Sequence, residues 1–276
     1  MKRMIQYQNG HVTVFQSAIY KTTSTVIVTD DLVLIADPNW LPREIEEIRQ
    51  HVEAVRGDRP VYVLFTHGDF DHIIGYKAFP GAVTIGSEGL LSHPDKEKKL
   101  ALITSFDAGH CIDRGYPVEF PHVDIAAAGN GQVFQLGETR LTFYLAPGHT
   151  ADGLMTVVEP LGILIAGDYL SDFELPFIYD SAKAYERTLD TVRHIYGAHN
   201  LELLVPGHGQ ATGDVREMER RLELADRYLA SLIGAVQADD DNALLALRDA
   251  HAYRSAFTDG CHDENVRIVR SEYAGG

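Results

Sequence analysis

The sequence predicts an α/β fold, and three observations carry that expectation. Short apolar runs end in loops marked by glycine or proline, as in "VYVLF" before Thr66 and "LELLV" before Pro206. Two stretches repeat the order strand, helix, strand: "LVLIADP" leads through a helix to "VYVLFTHG", and "GILIAGD" leads through a helix to "LELLVPGHG". From about residue 213 onward the pattern is helical throughout. Two such halves predict a pseudo-symmetric pair of sheets with outer helices.

The elements follow in order. "HVTVFQ" alternates apolar and polar residues, as a half-buried strand does. "STVIVTD" and "DLVLIAD" flank an Asp-Asp turn at 30 and 31 and predict a hairpin. "PREIEEIRQHVEAVR", 42–56, places Ile45, Ile48, Val52 and Val55 at helical spacing. Pro42 suits the first turn, where its missing N–H is harmless, and Gly57 suits the exit. "VYVLF" is a continuous apolar run, the mark of a strand covered on both faces. Residues 87–106 predict a helix and 107–121 a loop. "QVFQLG", "TRLTFYLAP", "LMTVVEP" and "LGILIAGD" predict successive strands. "SAKAYERTLDTVRHIYG" predicts a helix capped by Ser181 or Asp180. After the strand in "LELLVPGHG" come "DVREMERRLELADRYLASLIGAV", "NALLALRDAHAY" and a last helical stretch to Tyr273. This divides the chain into a unit over 1–212 and a helical extension over 213–276 packed on it.

Composition narrows the partners. The net charge of −16 would repel a nucleic acid, and no Lys/Arg cluster offsets it. "DKEKK" at 95–99 mixes both signs and reads as a solvated helix face. No apolar run approaches the roughly 20 residues of a membrane helix. The N-terminus turns polar at once, without the apolar stretch of a secretory signal. Cys111 and Cys261 are too few for a disulfide framework and suit a reducing compartment. The expectation is an unprocessed cytoplasmic protein with a small-molecule substrate, no nucleic-acid or membrane partner, and a homodimer as one arrangement for the C-terminal helices.

The chemistry begins at "THGDFDH", which follows the "VYVLF" strand. His67, Asp69, Asp71 and His72 stand at the carboxyl end of a buried strand, where open α/β sheets place ligands. Four such groups resist burial without a countercharge, and a divalent cation supplies it. The competing reading is a polar loop in which Asp69 and Asp71 cap a helix starting near Ile73. Three further loops decide between them. "LAPGHTADG" places His149 after a strand, "LIAGDYL" places Asp168 after another, and "LVPGHG" places His208 after a third. Each of these three residues follows a glycine, which leaves room at a crowded centre.

Taken together, the set resembles the metallo-β-lactamase superfamily of metal-dependent hydrolases. That family's pattern is H-x-H-x-D-H, a single His, a bridging Asp and a final His. Here it is matched by His67, Asp71, His72, His149, Asp168 and His208, over about residues 11–210. The resemblance implies an αββα sandwich, with C-terminal helices added, and two divalent metals in a cleft at one edge. His67 and His149 would hold the first metal, Asp71, His72 and His208 the second, and Asp168 would bridge them. Asp71 would also orient the attacking water.

Asp69 departs from the pattern, standing where the family usually has its second histidine. As a ligand it would add a negative charge and make the bound water less acidic. A carboxylate is also a harder donor than imidazole. Zinc is the expected ion, and Asp69 leaves manganese, iron or a single-metal site open. The expected reaction is hydrolysis of a small ester, lactone or thioester. The alternatives are a phosphodiesterase acting on a small phosphorylated metabolite, an iron-dependent oxygen-using relative, and a non-catalytic metal-binding scaffold. Tyr169, Phe173, Phe177 and Tyr179 are candidate pocket walls against a core reading, and 87–121 is a candidate lid. His93, His110, His194, His199, His251 and His262 read as surface or satisfied groups, and Met4, Met155 and Met218 as core fillers.

Overall fold

A computed structural model describes residues 4–251 and 253–273 of the chain. Residues 1–3, which open the stretch lacking a secretory signal, and Ala252, inside the last predicted helix but one, lie outside the described residues.

Two sheets stack face to face. The larger runs β1 (Ile5–Gln8), β2 (Val12–Gln16), β3 (Thr23–Val28), β4 (Val33–Ala36), β5 (Val61–Leu64), β6 (Val83–Ser87) and β7 (Ile125–Ala127) in spatial as well as chain order. The smaller has the order β12-β11-β10-β9-β8, built from β8 (Gln132–Leu136), β9 (Thr139–Leu145), β10 (Leu154–Glu159), β11 (Ile163–Ile165) and β12 (Leu203–Val205). The Asp-Asp turn closes the antiparallel β3–β4 hairpin, with Val28 opposite Val33. The two strand–helix–strand units lie as the sequence echo predicts. Helix α1 (Pro42–Arg56) crosses from β4 to the parallel β5, and α5 (Ala182–Ala198) from β11 to the parallel β12.

Alternation along the strands makes the layers. On β5, Tyr62 and Leu64 face the other sheet, packed with Phe143, Leu154 and Val205. Val63 and Phe65 face outward under Ile45, Ile48 and Val52 of α1. On β10 and β11, Met155, Val157 and Leu164 turn outward against Tyr185, Leu189 and Val192 of α5. Both sheets are thus apolar on both faces, which explains the uninterrupted apolar runs. The architecture is the αββα sandwich. Helices α6 (Val215–Gln237), α7 (Asp241–Asp249) and α8 (Ala256–Tyr273) continue the α5 layer, with Leu222, Leu229, Leu232 and Val269 buried in the same cluster.

Several boundaries differ from expectation for physical reasons. The helix predicted over 87–106 is two, α3 (Glu88–Leu91) and α4 (Lys96–Gly109), because Pro94 cannot continue a helix. Helix α7 stops before the predicted Tyr253. His251 instead stacks on Phe177, and Tyr253 meets Phe173 edge-on, contacts that override helix propensity. Ser181 caps α5 by accepting a hydrogen bond from Ala184 N–H. Met155 and Met218 are buried in the core and Met4 packs against it, as expected. No helix among the described residues is long and apolar enough to cross a membrane.

Candidate metal centre

All the candidate ligands lie just beyond strand ends, on loops or on the helical turn behind one, at one edge of the sandwich. His67 follows β5. Asp71 and His72 sit on α2 (Phe70–Ile73), one turn of helix immediately behind it. His149 follows β9, Asp168 follows β11 and His208 follows β12. Backbone hydrogen bonds tie these loops across the two sheets. Leu154 N–H donates to Thr66 O at 2.7 Å, Thr23 N–H to Gly207 O at 2.7 Å, and Gly207 N–H to Gly167 O at 2.6 Å. The last bond sets Asp168 beside His208. A Cβ on Gly207 would lie 2.2 Å from Asp168 Oδ1 and 3.0 Å from His72 Cε1, so only glycine fits there.

The side chains converge. His67 Nε2 is 3.8 Å from Asp69 Oδ2 and 3.7 Å from Asp168 Oδ2. His149 Nε2 is 3.6 Å from Asp69 Oδ2 and 3.2 Å from Asp168 Oδ2. On the other side, His72 Nε2 is 3.1 Å from Asp168 Oδ1 and 3.7 Å from Asp71 Oδ2. His208 Nε2 is 3.3 Å from Asp168 Oδ2 and 3.5 Å from Asp71 Oδ2. Asp168 therefore stands between two sets of donors. Two groups, His67–Asp69–His149 and Asp71–His72–His208, each keep their donor atoms within 4.8 Å of one another, as does His67–His72–Asp168.

Every imidazole is oriented through its Nδ1. His149 Nδ1–H donates to Phe177 O at 2.8 Å, and His208 Nδ1–H to Tyr20 O at 2.9 Å. His72 Nδ1–H donates to Asp37 Oδ2 at 2.9 Å. The hydroxyl of Thr66 also donates to Asp37 Oδ2, at 2.6 Å, so its oxygen accepts from His67 Nδ1 at 3.0 Å. With a proton on each Nδ1, each Nε2 is left to face the centre. Yet His67 Nε2, His72 Nε2, His149 Nε2 and Asp168 Oδ1 are buried and have no hydrogen-bond partner. Buried polar atoms are rarely left so. A divalent cation fits them. Donors about 2.0–2.2 Å from a tetrahedral ion stand roughly 3.3–3.6 Å from one another, the scale of the distances above.

Electrostatics points the same way. Burial works against a charged imidazole, but the carboxylates of Asp168, Asp71 and Asp37 raise His72 far above the ordinary histidine range. Against the same burial, Asp168 and Asp69 raise His149 to about 10, and Asp168 and Glu174 raise His208 to about 10. Asp69 goes the other way. Burial opposes its charged form, but His149, His67 and Lys99 hold it well below the usual carboxylate range. Burial, with the Asp168 and Asp71 charges, raises Glu174 to about 7. Of the four imidazoles, burial and the neighbouring His72 hold only His67 below the ordinary histidine range, and the other three, with raised values, draw positive charge to the cluster.

Asp69 occupies the N-cap position of α2, but its side chain makes no capping bond. The capping alternative therefore falls, since the carboxylate turns toward His67 and His149. Its other oxygen, Oδ1, forms an ion pair with Lys99 Nζ of α4. Lys99 is the last residue of "DKEKK", and the solvated-face reading does not hold for it. Sequence reasoning also missed Asp37 and Thr66. The signal was there for Asp37: it follows β4, next to β5 in the sheet, at the same strand end as His67.

A cleft of about 780 Å³ opens onto Asp69, Asp71, His149, Asp168 and His208. Phe177, Tyr179, Tyr20 and Phe257 supply its apolar wall, and Ser92, His93, Lys98 and Leu102 of the α3–α4 segment face them. Of the four aromatic candidates, Phe177 and Tyr179 line the cleft. Tyr169 is buried behind it, bonded to His149 N–H, while Phe173 packs on Tyr253 instead. The remaining histidines stand outside the ligand groups. His110 bonds Phe106 O, and His199 bonds Tyr144 and Glu159.

The family model of the metallo-beta-lactamase superfamily matches residues 20–227. The chain belongs to the metallo-beta-lactamase superfamily. Its class, a metal-dependent hydrolase, stands with that membership, and the matched span takes in every candidate ligand. Among curated proteins, a metallo-beta-lactamase type 2 of Bacillus cereus is 25% identical over 201 residues, covering 71% of this chain and 70% of its own. A probable metallo-hydrolase, YqgX of Bacillus subtilis (strain 168), is 26% identical over 200 residues, covering 70% of this chain and 88% of its own.

Solved structures agree on the fold. A metallo-beta-lactamase family protein from Thermus thermophilus superposes with a TM-score of 0.67 at 19% identity, covering 97% of this chain and 96% of that one. A stereoselective inverting sec-alkylsulfatase from Pseudomonas sp. superposes with a TM-score of 0.71 at 14% identity, covering 99% of this chain but 50% of that one. Both superpositions run beyond residue 227, into the C-terminal helices.

Proposed function

We propose that this protein hydrolyses a small-molecule ester, lactone or thioester at a centre of two divalent cations, one held by His67, Asp69 and His149 and the other by Asp71, His72 and His208, with Asp168 between them. The observation that carries the reading is the convergence of buried, unsatisfied Nε2 atoms whose Nδ1 positions are already committed. When bound, the cations polarise a carbonyl oxygen and lower the pKa of water from about 15.7 toward roughly 7.

The chain's own groups do the rest. Asp71 directs Oδ2 at His72 and His208 and lines the cleft, and we assign its second oxygen as acceptor for the attacking water. Asp37 and Thr66 keep the imidazoles of His72 and His67 in the tautomer that presents Nε2. Phe177, Tyr179, Tyr20 and Phe257 give the acyl part an apolar surface, and the cleft volume suits a small molecule. Zinc is the ion of first choice, with manganese or iron as competitors because of the oxygen-rich donor set.

The test is metal analysis of protein purified without chelator, followed by turnover of an ester, lactone, thioester and phosphodiester panel by wild type and Asp71→Ala. Two ions per chain and ester-type turnover lost in Asp71→Ala, with the fold retained, support the reading. Metal-free protein, or near-normal turnover in Asp71→Ala, overturns it.

A further inference from the structure

The ion pair between Asp69 and Lys99 changes the charge reckoning at the centre. Asp69 uses its two carboxylate oxygens differently. Oδ2 faces His67 Nε2 and His149 Nε2, whereas Oδ1 is taken by Lys99 Nζ. Both side chains are largely enclosed, at 17% and 21% exposure, so water screens the pair only in part. Lys99 arrives from α4 and lines the cleft, and α4 packs on α2, which Asp69 opens. Among the described residues no other lysine or arginine is paired with a carboxylate of the cluster.

Resting on the two-cation reading above, we propose that Asp69 and Lys99 act as one unit: the ammonium cancels the carboxylate's charge and fixes its orientation, so that the pair offers the centre a neutral oxygen donor. The extra negative charge expected from an aspartate at this position is thereby removed. Lys99 is a positioning residue, acting on the cations through Asp69.

The physical consequence is that neither member can be neutralised alone without penalty. With Asp69 made neutral, the Lys99 ammonium stands unpaired beside the cation and repels it. With Lys99 removed, the carboxylate keeps its charge but loses the bond that aims it. Partners that orient a ligand in this way are worth about 10–100-fold in metal affinity.

The experiment is a double-mutant cycle on zinc and manganese affinity, measured by chelator competition in wild type, Asp69→Asn, Lys99→Met and the double variant, with Lys99→Arg as the conservative control. Asp69→Asn keeps the shape of the side chain, and metal-free melting reports whether each variant folds. The expected result is that Asp69→Asn weakens binding by at least 100-fold, and that adding Lys99→Met to it recovers tenfold or more. Lys99→Arg stays within threefold of wild type. A Lys99→Met effect that is the same in both backgrounds overturns the inference while leaving the centre intact. Wild-type protein that binds neither metal overturns the two-cation reading itself. Should Lys99→Met fail to fold, Lys99→Gln supplies the same arm of the cycle.

Discussion

Replacing Asp37 by asparagine tests the orienting network with almost no change in shape. The carboxylate is buried and accepts three hydrogen bonds: Thr66 N–H at 2.9 Å on Oδ1, and Thr66 Oγ1 at 2.6 Å and His72 Nδ1 at 2.9 Å, both on Oδ2. An asparagine oxygen in the Oδ1 position still serves Thr66 N–H. Its NH2 group then faces the Thr66 hydroxyl and His72 Nδ1, which are both donors. For the amide to bond His72, that ring must give up its Nδ1 proton and carry it on Nε2, the atom aimed at the centre. For the hydroxyl to turn away, its buried proton must find another acceptor, which disturbs the geometry in which Thr66 accepts from His67 Nδ1. One substitution therefore threatens two Nε2 donors.

The cost can be bounded. A hydrogen bond to a charged group contributes about 1.5–3 kcal/mol, and one such bond is lost outright. Loss of an orienting partner lowers metal affinity about 10–100-fold, or roughly 1.4–2.8 kcal/mol. We expect Asp37→Asn to bind zinc at least tenfold more weakly by chelator competition, and to lose turnover at limiting metal. Saturating metal should restore part of the turnover. If Asp37→Asn binds zinc with wild-type affinity, the orienting role assigned to Asp37 is wrong.

Three further outcomes follow from the geometry. Gly207→Ala would drive a methyl group into Asp168 Oδ1, at 2.2 Å, so metal content should fall more than tenfold while circular dichroism shows the sandwich retained. The surrounding carboxylates raise His149 and His208 to about 10 in the metal-free protein, so a cation competes with protonation of these rings at neutral pH. Affinity should therefore rise with pH until about 10. Calorimetry in buffers of different ionisation enthalpy should detect proton release at pH 7, and none would refute the ligand set. The same shift stabilises the metal-free fold fully below about 6.5, and that contribution is lost as pH rises through about 10. Phe257, half-exposed on the cleft wall, packs its ring against Tyr20 and Phe177, so Phe257→Ala should raise KM by roughly tenfold with kcat little changed.

Much of the fold was legible because both sheets are buried on both faces. Continuous apolar runs such as "VYVLF" and "LGILIAGD" are strong signals, and Pro42, Gly57 and Ser181 marked helix ends where the chain places them. The strands that escaped notice are weak in that same signal. β1 is a four-residue edge strand in which two positions are Gln6 and Gln8, β7 is three residues long, and β6 carries Thr84, Gly86 and Ser87 among its five. Pro94 was visible and should have split the helix over 87–106. "DKEKK" misled because its composition is that of a solvated face, and only the tertiary approach of α4 to α2 shows that Lys99 leaves solvent for Asp69.

The candidate ligands were legible for a different reason. No single one of these side chains announces a ligand, but metal-type residues at the ends of four buried strands do so together. The groups that orient them divide into two kinds. Asp37 and Thr66 act through side chains and leave a trace in the sequence, since a carboxylate directly after a buried strand needs a partner. Phe177 and Tyr20 act through backbone carbonyls, which every residue possesses, so no residue type marks them. Their positions depend instead on the loop after Asp168 and on the left-handed backbone at Tyr20 and Lys21, where φ is 51° and 50°. Mutating those side chains would leave the carbonyls in place. The tautomer of His149 therefore depends on loop conformation, that of His208 on the loop with the Thr22 hydroxyl beside it at 3.3 Å, and those of His67 and His72 on two side chains. Substitutions at Asp37 or Thr66 should disable one half of each proposed cation site, and changes of loop length at 20–21 or 169–177 should disable the other.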